Sequence, residues 1–176
     1  NIHKMACIIV EGLTLDCRQG IGGVSTFYLT EFANVPQTSI TDSSGVVTAL
    51  GVSSGKKFWQ FEVEMEDVEF KETPTVSVEN GTTFYLQELT FSVFKWTAKN
   101  RNIVRLLTQN RLMVVVKDAD GVFKLAGQTR AMHLTAAPTT TGKASGDKNG
   151  YTVTLTGKEP VPANTFTNAA LITALL

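Results

Sequence analysis

The sequence predicts a mainly β protein with a single α-helix. Short segments in which apolar and polar residues alternate, typical of strands with one buried face, recur along the 176 residues. The strongest local signal is Asn80-Gly81, a dipeptide that tolerates positive φ and predicts a hairpin between 75–79 and 82–96. Only after Trp96 does the pattern change to the period of a helix. One domain is expected at this length.

The earlier strands are predicted from three segments. Residues 6–10 and 24–29 are short apolar runs. A longer strand is predicted at 58–70, because apolar and polar residues alternate there. The apolar residues are Trp59, Phe61, Val63 and Met65, and the polar ones are Gln60, Glu62, Glu64 and Glu66. A period of two places these two groups on opposite faces of a sheet.

Residues 97–110 are predicted to form an amphipathic helix of about three turns. Thr97 is the expected N-cap, and Asn110 is the expected left-handed stop. The apolar face is assigned to Ile103, Leu106 and Leu107, and a basic face to Arg101 and Arg105. The helix is therefore expected to lie with one side against the sheets.

The strands that follow the helix have clear turn signals. A buried strand is predicted at 112–116 and its return strand at 122–126, joined by the turn Asp118-Ala119-Asp120-Gly121. Further strands are predicted at 130–135 and 151–156.

Two loops and the C-terminus depart from this regularity. Residues 38–57 are predicted to be an extended loop, and 136–148 a second loop with little to bury. Residues 166–176 form an apolar tail with almost no charge, which would be a liability on the free surface of a monomer. Residues 1–4 precede Met5 and are expected to be a cloning remnant, which leaves a single domain at 5–176.

Composition narrows the classes of partner. Sixteen basic and sixteen acidic residues cancel, so the electrostatic signature of nucleic-acid or anionic-membrane binding is missing. Charged residues make up only 18% of the chain, which indicates that some surface is covered in use. No apolar run is long enough for a membrane span, and a cytosolic product is expected. Cys7 and Cys17 are expected to be free thiols, although a bridge between neighbouring strands stays open.

A glycine-rich stretch at 20–25 has the outline of a phosphate loop. It has Ser25 where the dinucleotide fingerprint has its third glycine, and a strand rather than a helix follows it. We therefore expect no nucleotide there. Gly20, Gly22 and Gly23 are instead predicted to allow a backbone bend or a close approach by another chain. Replacing Gly22 with Val is expected to impair folding or assembly.

Other candidate sites are weak, and no catalytic residue, metal or cofactor is predicted. Cys17 beside Arg18 has only His133 as a base, and these residues match no zinc-ligand spacing. Asp118 and Asp120 begin like a calcium loop but lack its closing glutamate, so a turn is expected. The row Glu62, Glu64 and Glu66 has two open interpretations, namely an ordinary solvated face or the acidic wall of an aqueous channel.

Several phrases, in this order, resemble bacteriophage tail tube proteins. They are LTFSVF at 89–94, NIVRLL at 102–107, the hairpin LMVVVKDADGVFKLAG at 112–127 and GYTVTLTGKE at 150–159. Related phrases occur in structural proteins of Bacteroidetes phages, including crAss-like ones, and the wider fold is shared with the secretion tube protein Hcp. The resemblance covers residues 6–166 and concerns element order and short phrases.

The resemblance implies a small β-barrel or two packed antiparallel sheets with one flanking helix. It further implies a virion tail subunit without catalytic residues, made in the bacterial host cytoplasm. Such subunits form rings, commonly of six, by joining sheets edge to edge. The rings stack through an extended loop, for which 38–57 is the candidate here, and through the termini, into a channel that DNA passes through without specific binding. The partners implied are further copies and other tail or portal-proximal proteins. Candidate lumen residues are Glu62, Glu64 and Glu66, and candidate inter-subunit residues are Val46, Val47, Leu50, Leu171, Ile172 and Leu175.

A hypothesis from another class is a monomeric β-sandwich that binds carbohydrate. Trp59, Trp96 or Tyr151 would then be the stacking platform. Aromatic residues in alternating strands are usually part of the core, so this hypothesis stands second.

Overall fold

The computed structural model describes residues 12–13 and 20–176. The predicted strand 6–10, Cys7 and Cys17 lie outside the described residues. The strands are β1 Val24–Glu31, β2 Thr41–Ser43, β3 Val46–Ala49, β4 Trp59–Glu62, β5 Val68–Ser77, β6 Thr82–Phe94, β7 Leu112–Asp118, β8 Phe123–Ala126, β9 His133–Ala136, β10 Thr139–Thr140, β11 Gly150–Glu159 and β12 Asn164–Phe166. The helices are α1 Ala98–Gln109 and the short α2 Ala170–Thr173.

The described strands form two sheets that do not close into a barrel. The larger sheet has the order β2-β3-β12-β8-β7-β1-β4, and the smaller has the order β10-β11-β6-β5, with β9 also paired to β11. All neighbouring strands are antiparallel except β12 and β3. The prediction of a mainly β chain with one substantial helix is confirmed, and of the two arrangements the packed sheets are the one observed.

Strand β7 shows why the larger sheet needs cover on both faces. Leu112, Val114 and Val116 point into the core between the two sheets. Met113 and Val115 point to the opposite face, where a second core lies. An uninterrupted apolar run is what a strand buried on both faces requires, so the predicted buried strand at 112–116 is confirmed.

Aromatic rings fill the core between the sheets. Phe27 on β1 stacks on Phe61 of β4 with ring centroids 5.3 Å apart, and it meets Phe91 of β6 at 4.7 Å. These rings come from both sheets, and Phe27 and Phe91 are fully buried. Because buried aromatic pairs contribute beyond their area, this cluster fixes one sheet against the other.

The second core is covered by two segments that were expected to contact other subunits, namely 38–57 and the C-terminal tail. Three residues are buried in it: Val47 on β3, Phe58 just before β4, and Ile172 on α2. The Phe58 N–H donates to the Leu175 carbonyl oxygen at 2.8 Å, which ties the C-terminus to the start of β4. The prediction that 38–57 is an extended loop is wrong in part, since the segment contains the β2–β3 hairpin. The apolar tail folds onto its own chain because the larger sheet has an apolar face to cover.

The helix begins as predicted and ends differently. The Thr97 side chain accepts a hydrogen bond from the Asn100 N–H at 3.2 Å, which confirms the N-cap. Val104 and Leu107 are its buried residues, whereas Leu106 is 57% exposed, so its assignment to the apolar face is wrong. Asn110 is extended rather than left-handed. Its side-chain amide donates to the Leu106 carbonyl at 2.9 Å and satisfies the helix end instead.

The hairpins confirm most of the turn predictions. Strands β5 and β6 pair from Val68, opposite Phe91, to Ser77, opposite Thr82. The loop that joins them contains Gly81, which has positive φ. At the β7–β8 turn, the Asp118 side chain accepts from the Val122 N–H at 2.8 Å. The predicted strand at 130–135 is observed as β9, shifted towards the C-terminus.

A buried polar network holds the β8–β9 connection, where the chain crosses from one sheet to the other. The Gly127 N–H donates to the Gln87 side-chain oxygen at 3.0 Å. The N–H groups of Thr129 and Arg130 donate to the Glu159 carboxylate at 3.0 and 2.8 Å. Gln87 and Glu159 are buried, so these bonds satisfy groups that would otherwise be costly to bury.

Candidate functional site

The most distinctive surface of the described chain is the side where both sheets end in an unpaired strand. Among the described strands, β4 pairs only with β1, and β5 pairs only with β6. Residues 63–67 connect β4 directly to β5, so both free edges lie on the same side of the sandwich. We call this side the open edge. A free edge presents unpaired backbone N–H and C=O groups and is a template for pairing with another chain.

A second feature is the hairpin arm, residues 75–84. Strand β11 pairs with β6 only as far as Glu159, which lies opposite Tyr85. Beyond that point β6 has β5 as its only partner among the described strands. The arm is thus a two-stranded ribbon beyond the sandwich, and at its end Val78 is 89% exposed. Val76 is 64% exposed on the same arm, so two valines are open to solvent close together.

The structure separates the predicted glutamate row. Strand β4 ends at Glu62, Glu64 lies in the connection, and Glu66 lies in a 3-10 turn at Met65–Asp67. The prediction of one continuous strand at 58–70 is therefore wrong, because the chain has to cross there from one sheet to the other. All three carboxylates are exposed at the open edge. That they line a lumen stays a prediction.

The predicted inter-subunit residues divide into two groups. Val47 is 0% exposed and Ile172 is 1% exposed, and Leu50 is buried beside them, so the chain's own second core accounts for all three. As the chain is folded, these three side chains are not on its surface. The half-buried members are Val46, Leu171 and Leu175.

The glycine stretch forms part of a small cleft of about 400 Å³ at the mouth between the sheets. Gly23, directly before β1, has a φ of 110°, which a glycine accommodates and which makes the predicted bend. The Ile21 N–H donates to the Asp120 side chain at 2.9 Å, and Gly20 approaches the same carboxylate. Gly22 is exposed with open space where a Cβ would be, so the fold gives no reason for Gly22→Val to impair folding.

This cleft has the wrong charge for a phosphate. The carboxylates of Asp118, Asp120 and Glu69 line it beside a single cation, Lys124, whose ammonium lies 3.1 Å from Asp118. Excess negative charge repels an anion, so the geometry agrees with the backbone role inferred for the glycines.

A larger cleft of about 510 Å³ lies between the open edge and the start of α1. Glu62 and Glu64 line it on one side, and Asn100 and Ile103 of α1 on another, with Phe94 at its end. It joins the acidic part of the open edge to the helix.

Two tryptophans are exposed, although the sequence pattern favoured a position in the core for both. Trp59 is 61% exposed, with the Lys57 ammonium 4.3 Å from its ring centroid. Trp96 is 51% exposed and meets the buried Tyr151 edge to face at 6.1 Å. Trp59 is paired with Leu29, so it shares the face of β4 that turns towards the core between the sheets. It is exposed there because β4 is an edge strand, which alternation alone does not reveal.

The described residues offer no cluster of side chains suited to a metal ion. His133 is exposed on β9, and within 12–13 and 20–176 no group of three His, Cys, Asp or Glu side chains is placed to hold a metal ion. In the same part of the chain, no helix is both long and apolar enough to cross a membrane.

Comparison with known proteins identifies no relative. The chain matches no family model, and no curated protein or solved structure is significantly similar to it. Its function must therefore be argued from the surface just described.

Proposed function

We propose that the protein is a subunit of a phage tail tube, or of a related tail ring, that assembles into rings stacked around a DNA-conducting channel. The observation that carries the proposal is the open edge, where β4 and β5 end both sheets on one side. The exposed carboxylates along this edge, Glu62, Glu64, Glu66 and Glu69, are of the kind that keeps a free edge from pairing with unintended chains. Two such edges side by side suit a neighbouring copy whose strands extend both sheets.

A repeated contact of this kind produces a ring. If the open edge of one copy meets a different surface of the next, the contact is heterologous, and it closes when the rotation between copies divides a full turn. Each copy then covers the edge of its neighbour, and no edge stays free. Ring assembly also accounts for the low content of charged residues, because neighbouring copies cover part of the surface.

The hairpin arm is our candidate for contact between rings. The resemblance to tail tube proteins predicts an extended loop in that role, and the sequence suggested 38–57. Since that segment is folded against the second core, the arm at 75–84 is the extended element of the described chain. Other tail or portal-proximal proteins would meet the same surfaces at the ends of a tube, and we accordingly place the protein in the virion tail, after synthesis in the host cytoplasm.

Negative-stain microscopy with mass photometry tests the proposal. We expect rings or tubes to form as the protein concentration rises. Val76→Lys with Val78→Lys changes two exposed residues of the arm and should leave rings but abolish stacking. The matched control is Val122→Lys, another exposed valine, which should still give tubes. A strict monomer under all conditions, including the presence of preformed tail components as template, would contradict the proposal.

A carbohydrate-binding monomer is the second candidate, and the exposure of Trp59 and Trp96 favours it. Stacking on sugar rings uses an exposed indole face. Trp59, however, does not line the larger cleft. Trp59 begins β4, and the residue of that strand that lines the cleft with Phe94 is Glu62 at its other end. The indole therefore lies about 10 Å along the strand from the cleft. A glycan array decides, since binding that Trp59→Ala or Trp96→Ala abolishes would support this candidate and an array without hits would exclude it.

A further inference from the structure

Charges of opposite sign are segregated along this neutral chain. The acidic segment, residues 62–69, contains five of the sixteen carboxylates and no Lys, Arg or His. The basic segment, residues 95–105, contains four of the sixteen cations, and no carboxylate occurs between Glu88 and Asp118. A neutral total therefore conceals two strongly charged patches.

Both patches face outward in the structure. Glu62, Glu64, Glu66 and Glu69 are exposed along the open edge. The exposed cations of the basic segment are Lys95, Lys99, Arg101 and Arg105. Within 12–13 and 20–176 the one ion pair joins Lys124 to Asp118, so neither patch is neutralised by this part of the chain.

Helix α1 has the properties of an unpartnered docking face. Arg101 and Arg105 are one turn apart on the same side of the helix, where like charges repel mildly. Leu106 adds an apolar side chain that is 57% exposed next to Arg105. An acidic partner would relieve the repulsion, and the leucine would supply apolar contact at the same place.

We propose that the acidic segment of one copy docks against helix α1 of the next copy, beside the strand pairing of the open edge, with Arg101 and Arg105 facing Glu62 and Glu64. The inference rests on the proposed function and specifies which surfaces meet in the ring. Charge complementarity selects a second copy as the occupant, because each copy carries both patches and a head-to-tail contact matches every acidic segment with a basic one. The acidic segment then belongs to the contact between subunits rather than to the lumen wall.

The contact should depend on salt. Each exposed pair contributes modestly to affinity, but complementary patches speed association and select the correct partner. Raising the ionic strength from about 0.05 to about 0.5 M shortens the Debye length well below the size of the patches and should weaken association by about tenfold or more.

Charge reversal tests the inference with two variants. The acid-reversed variant carries Glu62→Lys and Glu64→Lys, and the base-reversed variant carries Arg101→Glu and Arg105→Glu. All four residues are exposed, so both variants should unfold at the wild-type temperature. Each variant alone should associate about tenfold more weakly than wild type or worse, because every contact becomes repulsive. An equimolar mixture should recover assembly, since acid-reversed and base-reversed copies can alternate around a ring.

The matched control is Lys56→Glu with Lys143→Glu. Both lysines are exposed, and the change in net charge equals that of the base-reversed variant. This control should assemble like wild type. Analytical ultracentrifugation and micrographs of each variant, the mixture and the control give the result.

The outcomes separate this inference from the proposed function. If wild type assembles and the reversed variants do so equally well, the docking surface is wrong and the ring remains. If each variant fails alone and the mixture also fails, charge pairing between these segments is excluded. If neither wild type nor the mixture assembles under any condition, the proposed function and the docking contact fall together.

Discussion

Whether the C-terminal segment belongs to its own chain or to a neighbour can be decided at Ile172. The resemblance to tail tube proteins implied a tail that lies on an adjacent subunit, whereas the structure buries Ile172 to 1% exposure in the second core. The side chain lies in a cluster with Phe58 and Leu50, beneath the hydrogen bond from Phe58 to Leu175. The substitution Ile172→Ala therefore opens a cavity in the monomer if this packing is correct.

The magnitude follows from the atoms removed. Isoleucine to alanine deletes about three methylene equivalents at about 0.8 kcal/mol each, and incomplete collapse of the cavity adds to this. We expect the free energy of unfolding to fall by about 3 kcal/mol. For a chain of this size, that lowers the melting temperature by about 6 to 12 °C.

Urea unfolding followed by tryptophan fluorescence, at concentrations where the protein is monomeric, measures the change. The matched control is Thr173→Ala, an exposed neighbour on the same short helix, which should change stability by less than about 0.5 kcal/mol. If Ile172→Ala is as stable as the control, the segment does not pack on its own chain. If stability is unchanged and assembly is lost, the segment covers a neighbour.

The remaining predictions concern local geometry. Gly150→Ala should destabilise by about 3 kcal/mol or more in a thermal melt, because a Cβ there would overlap the Val93 carbonyl and φ is 151°; a normal melt would refute the register at this position. Gly22→Val should leave the melt within about 0.5 kcal/mol, and loss of assembly despite normal folding would place the glycines at an interface. Thr97→Ala should cost about 1 kcal/mol through loss of the helix cap, checked by urea unfolding. Backbone N–H groups of Ala144 and Lys143 donate to Asp147 and hold the pKa of this carboxyl below its ordinary value. The loop that contains these bonds should stay ordered above the ordinary aspartate pKa and loosen as pH falls through the lowered pKa, and an NMR titration that gives Asp147 an ordinary or raised pKa would contradict this.

The sequence predicts the elements whose determinants are local. The Asn80-Gly81 hairpin, the turn after Asp118 and the cap at Thr97 depend on neighbouring residues, and each is observed. The run at 112–116 is apolar on both faces, so its burial on both sides could also be predicted.

The predictions that are wrong concern residues whose structure depends on distant parts of the chain. The alternation at 58–70 continues past the point where β4 must leave one sheet for the other, and a period of two cannot mark that crossing. Val47 and Ile172 lie far apart in sequence but share one core, so each appeared unpartnered when read alone. The network around Gln87 and Glu159 was missed for the same reason, although a polar residue within an apolar strand pattern was a usable signal.

For the candidate site, the sequence supplied the residue types and the structure supplied their arrangement. The glutamates at 62, 64 and 66 were recognised, but their position at the open edge depends on the strand order of both sheets. The hairpin arm could not be anticipated either, because its freedom results from β11 ending opposite Tyr85.

Hydrogen exchange on the assembled protein tests the central claim most directly, since pairing of the open edge changes backbone hydrogen bonds. Within the part of the chain that the structure describes, strands β4 and β5 each have one unpaired side, so in the free subunit their outward amides should exchange quickly. On assembly we expect these amides to become protected, while the already paired amides of β7 keep their protection. Assembled particles in which β4 and β5 exchange as fast as in the free subunit would contradict the account.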